Sequence, residues 1–153
     1  MVSFILPGNS ATGGYEVANS LRFNNDDNAE LSKTPSSDGN RRKWTFSCWV
    51  KRSQISSTHE YLLSAAGETT VYFRGEILST ELYDGNNYYL RTNRVFRDPS
   101  AWYHIVCVWD TENSTQANRM RLYVNNVEET SFSASVYPTQ NYDSYMNKDG
   151  NTI

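Results

Sequence analysis

Trp102-Tyr103-His104-Ile105-Val106-Cys107-Val108-Trp109-Asp110, followed after a polar gap by Met120-Arg121-Leu122-Tyr123-Val124-Asn125-Asn126-Val127, decides the fold of this chain. Aromatic and β-branched residues dominate both runs, which suits a pleated, half-buried surface. Asn tolerates the positive φ of a two-residue hairpin turn, so Asn125-Asn126 reads as a tight reversal. Two strands joined by a loop, the second entering a hairpin, point to an antiparallel β domain.

Working outward, Lys43-Trp44-Thr45-Phe46-Ser47-Cys48-Trp49-Val50-Lys51 alternates large apolar with small or polar residues. Trp49 breaks the alternation, which predicts a central strand partly covered on both faces. Short strands are predicted at residues 61–65, 70–74, 77–82 and 87–91, punctuated by Gly67, Gly75 and Asp84-Gly85. Two more are predicted earlier, at 20–24 and 29–32, around the polar turn Asn24-Asn25-Asp26-Asp27-Asn28. Eight or so strands at this spacing describe an all-β, antiparallel two-sheet sandwich or jelly roll. Composition agrees: 14% of residues are aromatic, with eleven Tyr and four Trp against three Met, and Ala/Leu/Glu/Lys helix runs are missing.

The expected organisation is an extended N-terminal arm over 1–19, a sandwich over 20–132, and an irregular segment over 133–153 that stops before a last strand. The 153 residues suffice for one domain. The net charge of −3 is spread along the chain. The cluster Arg41-Arg42-Lys43 with Lys51-Arg52 is too small for the single-sign face that nucleic acid requires. No run approaches the ~18 apolar residues of a membrane span, and the apolar residues 2–7 lack the features of a signal peptide. Cys48 and Cys107 fall within strands and read as small buried hydrophobes; they can pair only if their strands are neighbours. Asn113-Ser114-Thr115 matches a glycosylation sequon, without a secretory signal to support its use.

Ser20-Leu21-Arg22-Phe23, the strand Trp44–Lys51, Trp102-Tyr103-His104-Ile105 and Leu122-Tyr123-Val124-Asn125-Asn126, taken in order, resemble the laminin-G-like branch of the concanavalin A-like lectin/glucanase superfamily. A narrower resemblance, to the version found in marine bacteriophage virion proteins, rests on residues 19–24, on 33–37 with 39–42, and on 96–104. It implies a non-enzymatic structural, decoration or fibre protein, assembled in the host cytoplasm and resident on the virion. Its partners would be other virion proteins or copies of itself, with neither nucleic acid nor membrane insertion. The alternative it implies is a lectin-like adhesin that binds host-surface glycans. In that family a glycine follows the Asn of the hairpin, where this chain has Asn126, and a further strand usually follows the segment ending at Ile153.

The glucan-cleaving enzymes of the superfamily carry a Glu-x-Asp-x-x-Glu run, whose carboxylates sit at about 5–5.5 Å when the enzyme retains configuration. This chain has no such run, and Glu76 and Glu81 are expected on opposite faces of one strand. His104 invites a triad with Ser100 and Asp98 or Asp110, but Asp98-Pro99-Ser100 reads more simply as a turn. His104 is expected to bond a neighbouring loop, and His59 to be solvated. No cofactor is expected; calcium is left open through Asp26, Asp27 and Asp143. Most functional weight falls on Tyr83, Asp84, Asn86, Tyr88, Tyr89 and Arg91. Their aromatic faces, amides and charges suit sugars and protein interfaces alike.

Overall fold

The computed structural model describes residues 21–23, 27 and 29–153. The chain divides after Leu31 into two units, 1–31 and 32–153. In the first, Leu21–Phe23 and Ala29–Leu31 form no strand, unlike the expectation, and Leu21, Phe23 and Leu31 are exposed. The arm over 1–19 lies outside the described residues.

The second unit contains nine strands: β1 (Lys43–Lys51), β2 (His59–Ala65), β3 (Thr69–Arg74), β4 (Ile77–Tyr83), β5 (Asn87–Thr92), β6 (Trp102–Asp110), β7 (Met120–Val124), β8 (Val127–Glu128) and β9 (Phe132–Val136). All pairings are antiparallel. One sheet runs β1-β6-β7-β8 and the other β2-β3-β4-β5-β9. The core fills the space between them, with Val71, Phe73, Leu78, Leu82 and Leu90 facing Ile105, Cys107, Trp109, Leu122 and Val124. The two sheets meet where the Cys107 thiol approaches the Thr80 hydroxyl oxygen at 3.4 Å. Trp44 and Trp109, paired in register, stack at 5.3 Å.

The strands that opened the sequence reading occupy the expected places, and the Asn turn has the backbone it needs: φ is 50° at Asn125 and 66° at Asn126. Two expectations change, and one holds. β1 stands at the end of its strand order rather than at the centre, and Trp49 is 61% exposed. The cysteines are free thiols as expected, although β1 and β6 are neighbours. Cys48 faces Ile105 and Cys107 faces Phe46, so the sulfurs sit on offset rungs. The segment read as irregular from Ser133 begins with β9, because Phe132, Ala134 and Val136 alternate with Ser133 and Ser135 beside β5.

Residues 137–153 then run back along the sandwich. Tyr137, Tyr142 and Met146 pack on the core. The Trp44 indole N–H donates to the Ser144 hydroxyl at 2.8 Å, which donates in turn to the Arg41 carbonyl at 2.7 Å. The Gly39 N–H donates to Asn147 O at 2.8 Å, and a Cβ on Gly39 would lie 3.1 Å from that of Asn147, so the close approach favours glycine. Lys33 and Ile153 exchange backbone bonds of 3.0 and 2.9 Å. Arg119, buried and with no acidic partner among the described residues, donates to the carbonyls of Asn113, Ser114 and Pro138.

Candidate binding face

The residues singled out around the Asp84–Asn86 turn do not converge on one spot. The turn itself is local: the Asn86 N–H donates to Asp84 Oδ1 at 3.1 Å, and Gly85 takes φ 94°. Asp84 also accepts a hydrogen bond from the Tyr142 hydroxyl, so it ties the C-terminal segment to the sheet. Tyr88 alternates inward with Leu90, packs against the core and meets the Tyr142 ring edge-on at 5.0 Å. Both residues are therefore occupied inside the fold. Tyr83, 55% exposed, continues the outward row of β4 beyond Glu81.

Tyr89 and Arg91 project outward from β5 and belong to a larger surface that sequence reasoning missed. The Arg91 guanidinium lies over the Tyr89 ring at 4.3 Å and 3.6 Å from Glu81 Oε1. Glu81 Oε2 accepts a hydrogen bond from the Tyr72 hydroxyl at 2.6 Å. Burial, then the bond to Glu81 and that carboxylate's charge, push the Tyr72 phenol up to about 12, which keeps it a neutral donor. His59, expected to be merely solvated, meets Tyr72 edge-on at 4.6 Å and stacks on Tyr61 at 5.5 Å. Tyr61 and Val136, 56% and 39% exposed, extend the surface across β2 and β9. The only sequence signal for this assembly is the outward phase of each strand; the side-by-side order β2-β3-β4-β5-β9 comes from long-range pairing.

The outward face of the other sheet carries a second group. Trp49 stacks on His104 with ring centres 4.9 Å apart and planes 19° off parallel. His104 Nε2 lies 3.0 Å from Ser47 Oγ and Nδ1 3.2 Å from Asn126 Oδ1, while its backbone N–H donates to Asn125 Oδ1 at 2.8 Å. The partners considered for a triad are arranged otherwise. Ser100 Oγ donates to Asp98 Oδ1 at 2.6 Å within its own turn, and Asp110 Oδ1 lies 3.7 Å from the Lys43 ammonium. Ser47 stands exposed on a flat strand face, whereas a nucleophilic serine needs donors preorganised around an oxyanion.

Glu76 falls in the turn before β4 and pairs with Arg97 at 2.8 Å, while Glu81 faces out from β4 to Tyr72. The hydrogen bond and charge of Arg97 hold the Glu76 carboxyl below its ordinary value. Of the calcium candidates, Asp26 lies outside the described residues, Asp27 belongs to the first unit, and Asp143 pairs with Arg42 at 2.8 Å. Among the described residues no cluster of three or more His, Cys, Asp or Glu could hold a metal ion, and no helix is long and apolar enough to cross a membrane.

Compared with known proteins, residues 23–151 match a laminin-G-type family model described as concanavalin A-like lectin/glucanases superfamily. No curated protein and no solved structure matches the chain.

Proposed function

The chain belongs to the concanavalin A-like lectin/glucanases superfamily, and from that premise we propose that it is a non-enzymatic structural or decoration protein of a bacteriophage virion, acting through protein–protein contacts. The observation that carries the contact reading is the outward face of the five-stranded sheet. Tyr61, Glu81, Tyr83, Tyr89 and Arg91 lie on adjacent strands of one outward face, with the largely covered Tyr72 between them. Tyrosine and arginine are the residue types enriched at protein interfaces, where large rings bury area at low entropic cost. The charges are already mutually satisfied: Arg91 is held between Tyr89 and Glu81, and Glu81 by Tyr72. A partner can therefore cover them without leaving an unpaired ion. The virion setting is supported by the resemblance of residues 19–24, of 33–37 with 39–42, and of 96–104 to marine phage proteins. Rebinding of the purified chain to particles that lack it tests the proposal. Saturable rebinding that Tyr61→Ser and Arg91→Ala weaken supports it; a chain with no affinity for particles or for itself refutes it.

A further inference from the structure

The outward side of the four-stranded sheet presents a different surface, on which strand register sets a pattern of side-chain sizes. Its rungs place Trp49 beside His104, Ser47 beside Val106 and Tyr123, and Thr45 beside Val108 and Arg121. In the rung of Trp49 the β7 side is taken by the Asn125-Asn126 turn, whose side chains are drawn to His104 by hydrogen bonds of 2.8 and 3.2 Å. The β1 flank is therefore small at Thr45 and Ser47 and large at Trp49. The β7 flank is the converse, large at Arg121 and Tyr123 and low at the turn. Between the flanks, β6 contributes partly exposed Val106 and Val108, with Trp102 at its end. Trp49 is 61% and Trp102 50% exposed. Rings and valines at the centre, with Lys43, Lys51 and Glu128 around them, have the anatomy of a protein interface.

We infer that this face is a two-fold interface between two copies of the chain, separate from the tyrosine face on the other sheet. A two-fold axis lying in the interface, roughly along β6, keeps each rung at its height and exchanges its flanks. Tyr123 of one copy then meets Ser47 of the other, Arg121 meets Thr45, and Trp49 meets the Asn125-Asn126 turn. Each large side chain lands on a low place, while Val106 and Val108 meet their own equivalents. An axis across the strands does the reverse, setting Tyr123 on Tyr123 and Lys43 against Lys51. Inclining the first axis by about 15° gives the ~30° crossing that twisted sheets adopt face to face.

Charge selects the same occupant. Lys43 is engaged by Asp110 and Glu112. Arg121 pairs with no carboxylate among the described residues; its shielded Nε has no hydrogen-bond partner, and its guanidinium lies 6.0 Å from the Tyr123 ring. Seated over Thr45 of the second copy, Arg121 comes one rung from that copy's Asp110, which supplies a carboxylate. The nine residues of β6 and the width of the sheet outline roughly 500 Å² per copy at ~3.4 Å per residue and ~4.8 Å per strand. Two copies bury about 1,000 Å², the lower limit of a specific interface, which predicts a reversible dimer with a micromolar Kd.

Sedimentation equilibrium of the full chain from about 1 to 500 µM tests this. The expected result is a monomer–dimer equilibrium, with indole emission moving to shorter wavelength as Trp49 and Trp102 are covered. Val106→Asp sets like charges against each other on the axis and should weaken the dimer about a hundredfold or more. Thr45→Trp discriminates further, because Thr45 is exposed and a ring there adds apolar area. In this geometry the ring fills the place that Arg121 of the other copy occupies, so the dimer should weaken about tenfold or more. Tyr61→Ser and Arg91→Ala should leave it unchanged. Circular dichroism and Tm establish that each variant is folded. A chain that is monomeric across the range overturns the inference, as do trimers or open-ended oligomers. An unchanged or tighter dimer in Thr45→Trp also overturns it, since an unspecific apolar patch gains from an added ring. Dimerisation lost only in Tyr61→Ser or Arg91→Ala overturns it as well, and assigns self-contact to the tyrosine face. Failure here leaves the docking proposal standing, because that is read through rebinding to particles.

Discussion

Replacing Arg52 by Met should be among the most damaging single changes in the sandwich. The Arg52 side chain is 2% exposed. Its Nη1 donates to Phe96 O at 3.0 Å, and its Nη2 to Gly75 O at 2.8 Å and to Glu60 Oε2 at 2.6 Å. The guanidinium also lies 4.5 Å from the Phe73 ring centre. Met fills similar space but leaves two carbonyls and the Glu60 carboxylate without their donor. Removing one partner of a buried pair costs about 3–5 kcal/mol. Glu60 keeps 22% of its side chain in solvent, so the lower end applies. At about 2–4 °C per kcal/mol for a domain of this size, a cost of about 3 kcal/mol lowers Tm by roughly 6–12 °C. Urea unfolding followed by circular dichroism, with calorimetry for Tm, measures it. Glu60→Gln keeps an acceptor and should cost about 1 kcal/mol. In Arg52→Met/Glu60→Leu the stranded carboxylate is gone, so the pair should lose less than the sum of the single changes. A loss below about 1 kcal/mol for Arg52→Met would refute the reasoning and place this pair with the surface ion pairs.

Ser144→Ala removes the hydroxyl between the Trp44 indole and the Arg41 carbonyl, and should cost about 1–3 kcal/mol in chemical denaturation because a buried donor loses its acceptor. Asn126→Gly should be close to neutral, since glycine adopts the same positive φ, whereas Asn126→Val should lower Tm clearly because a β-branched residue resists it. Stability should also fall as pH rises above about 9. Burial pushes the Cys107 thiol up to about 12, despite a smaller opposing effect of Thr80, and the Cys48 thiol up to about 11. Both groups start from 9.0, so in alkali the unfolded chain releases protons that the folded chain keeps, and the balance shifts toward unfolding. Tm measured from pH 7 to 11 should show the decline, reduced in Cys107→Val; a flat profile would contradict the buried-thiol account. In the native state at pH 8, an aromatic disulfide reagent should leave Cys107 unmodified.

Strands with large alternating side chains were legible in the sequence, and those with small ones were not. Residues 43–51 and 102–110 announce themselves because Trp, Phe, Tyr and Ile mark one phase. The same alternation exists in Phe132-Ser133-Ala134-Ser135-Val136, but alanine and serine carry too little contrast to signal β9. The binding residues show a similar division. Tyr88 was grouped with its neighbours by proximity in sequence, although its alternation with Leu90 already turns it inward. Asp84 looked like a free carboxylate at a loop tip, and its partner Tyr142 is 58 residues away. The row from Tyr61 through Tyr72 and Glu81 to Arg91 depends on strand order, and the stack of Trp49 on His104 on the register between β1 and β6. Neither has a local signature. Trp49 stood out in the sequence as an exception to its strand's pattern; the structure turns that exception into an exposed ring.

Rebinding of the purified chain to particles stripped of it, followed by co-sedimentation across a range of concentrations, tests the central claim most directly. The account predicts saturable binding that Tyr61→Ser, Tyr83→Ser and Arg91→Ala each weaken while the fold is retained, with calcium making no difference. A chain that stays in the supernatant at every concentration and remains monomeric, or that sediments equally well with all three substitutions combined, would contradict it.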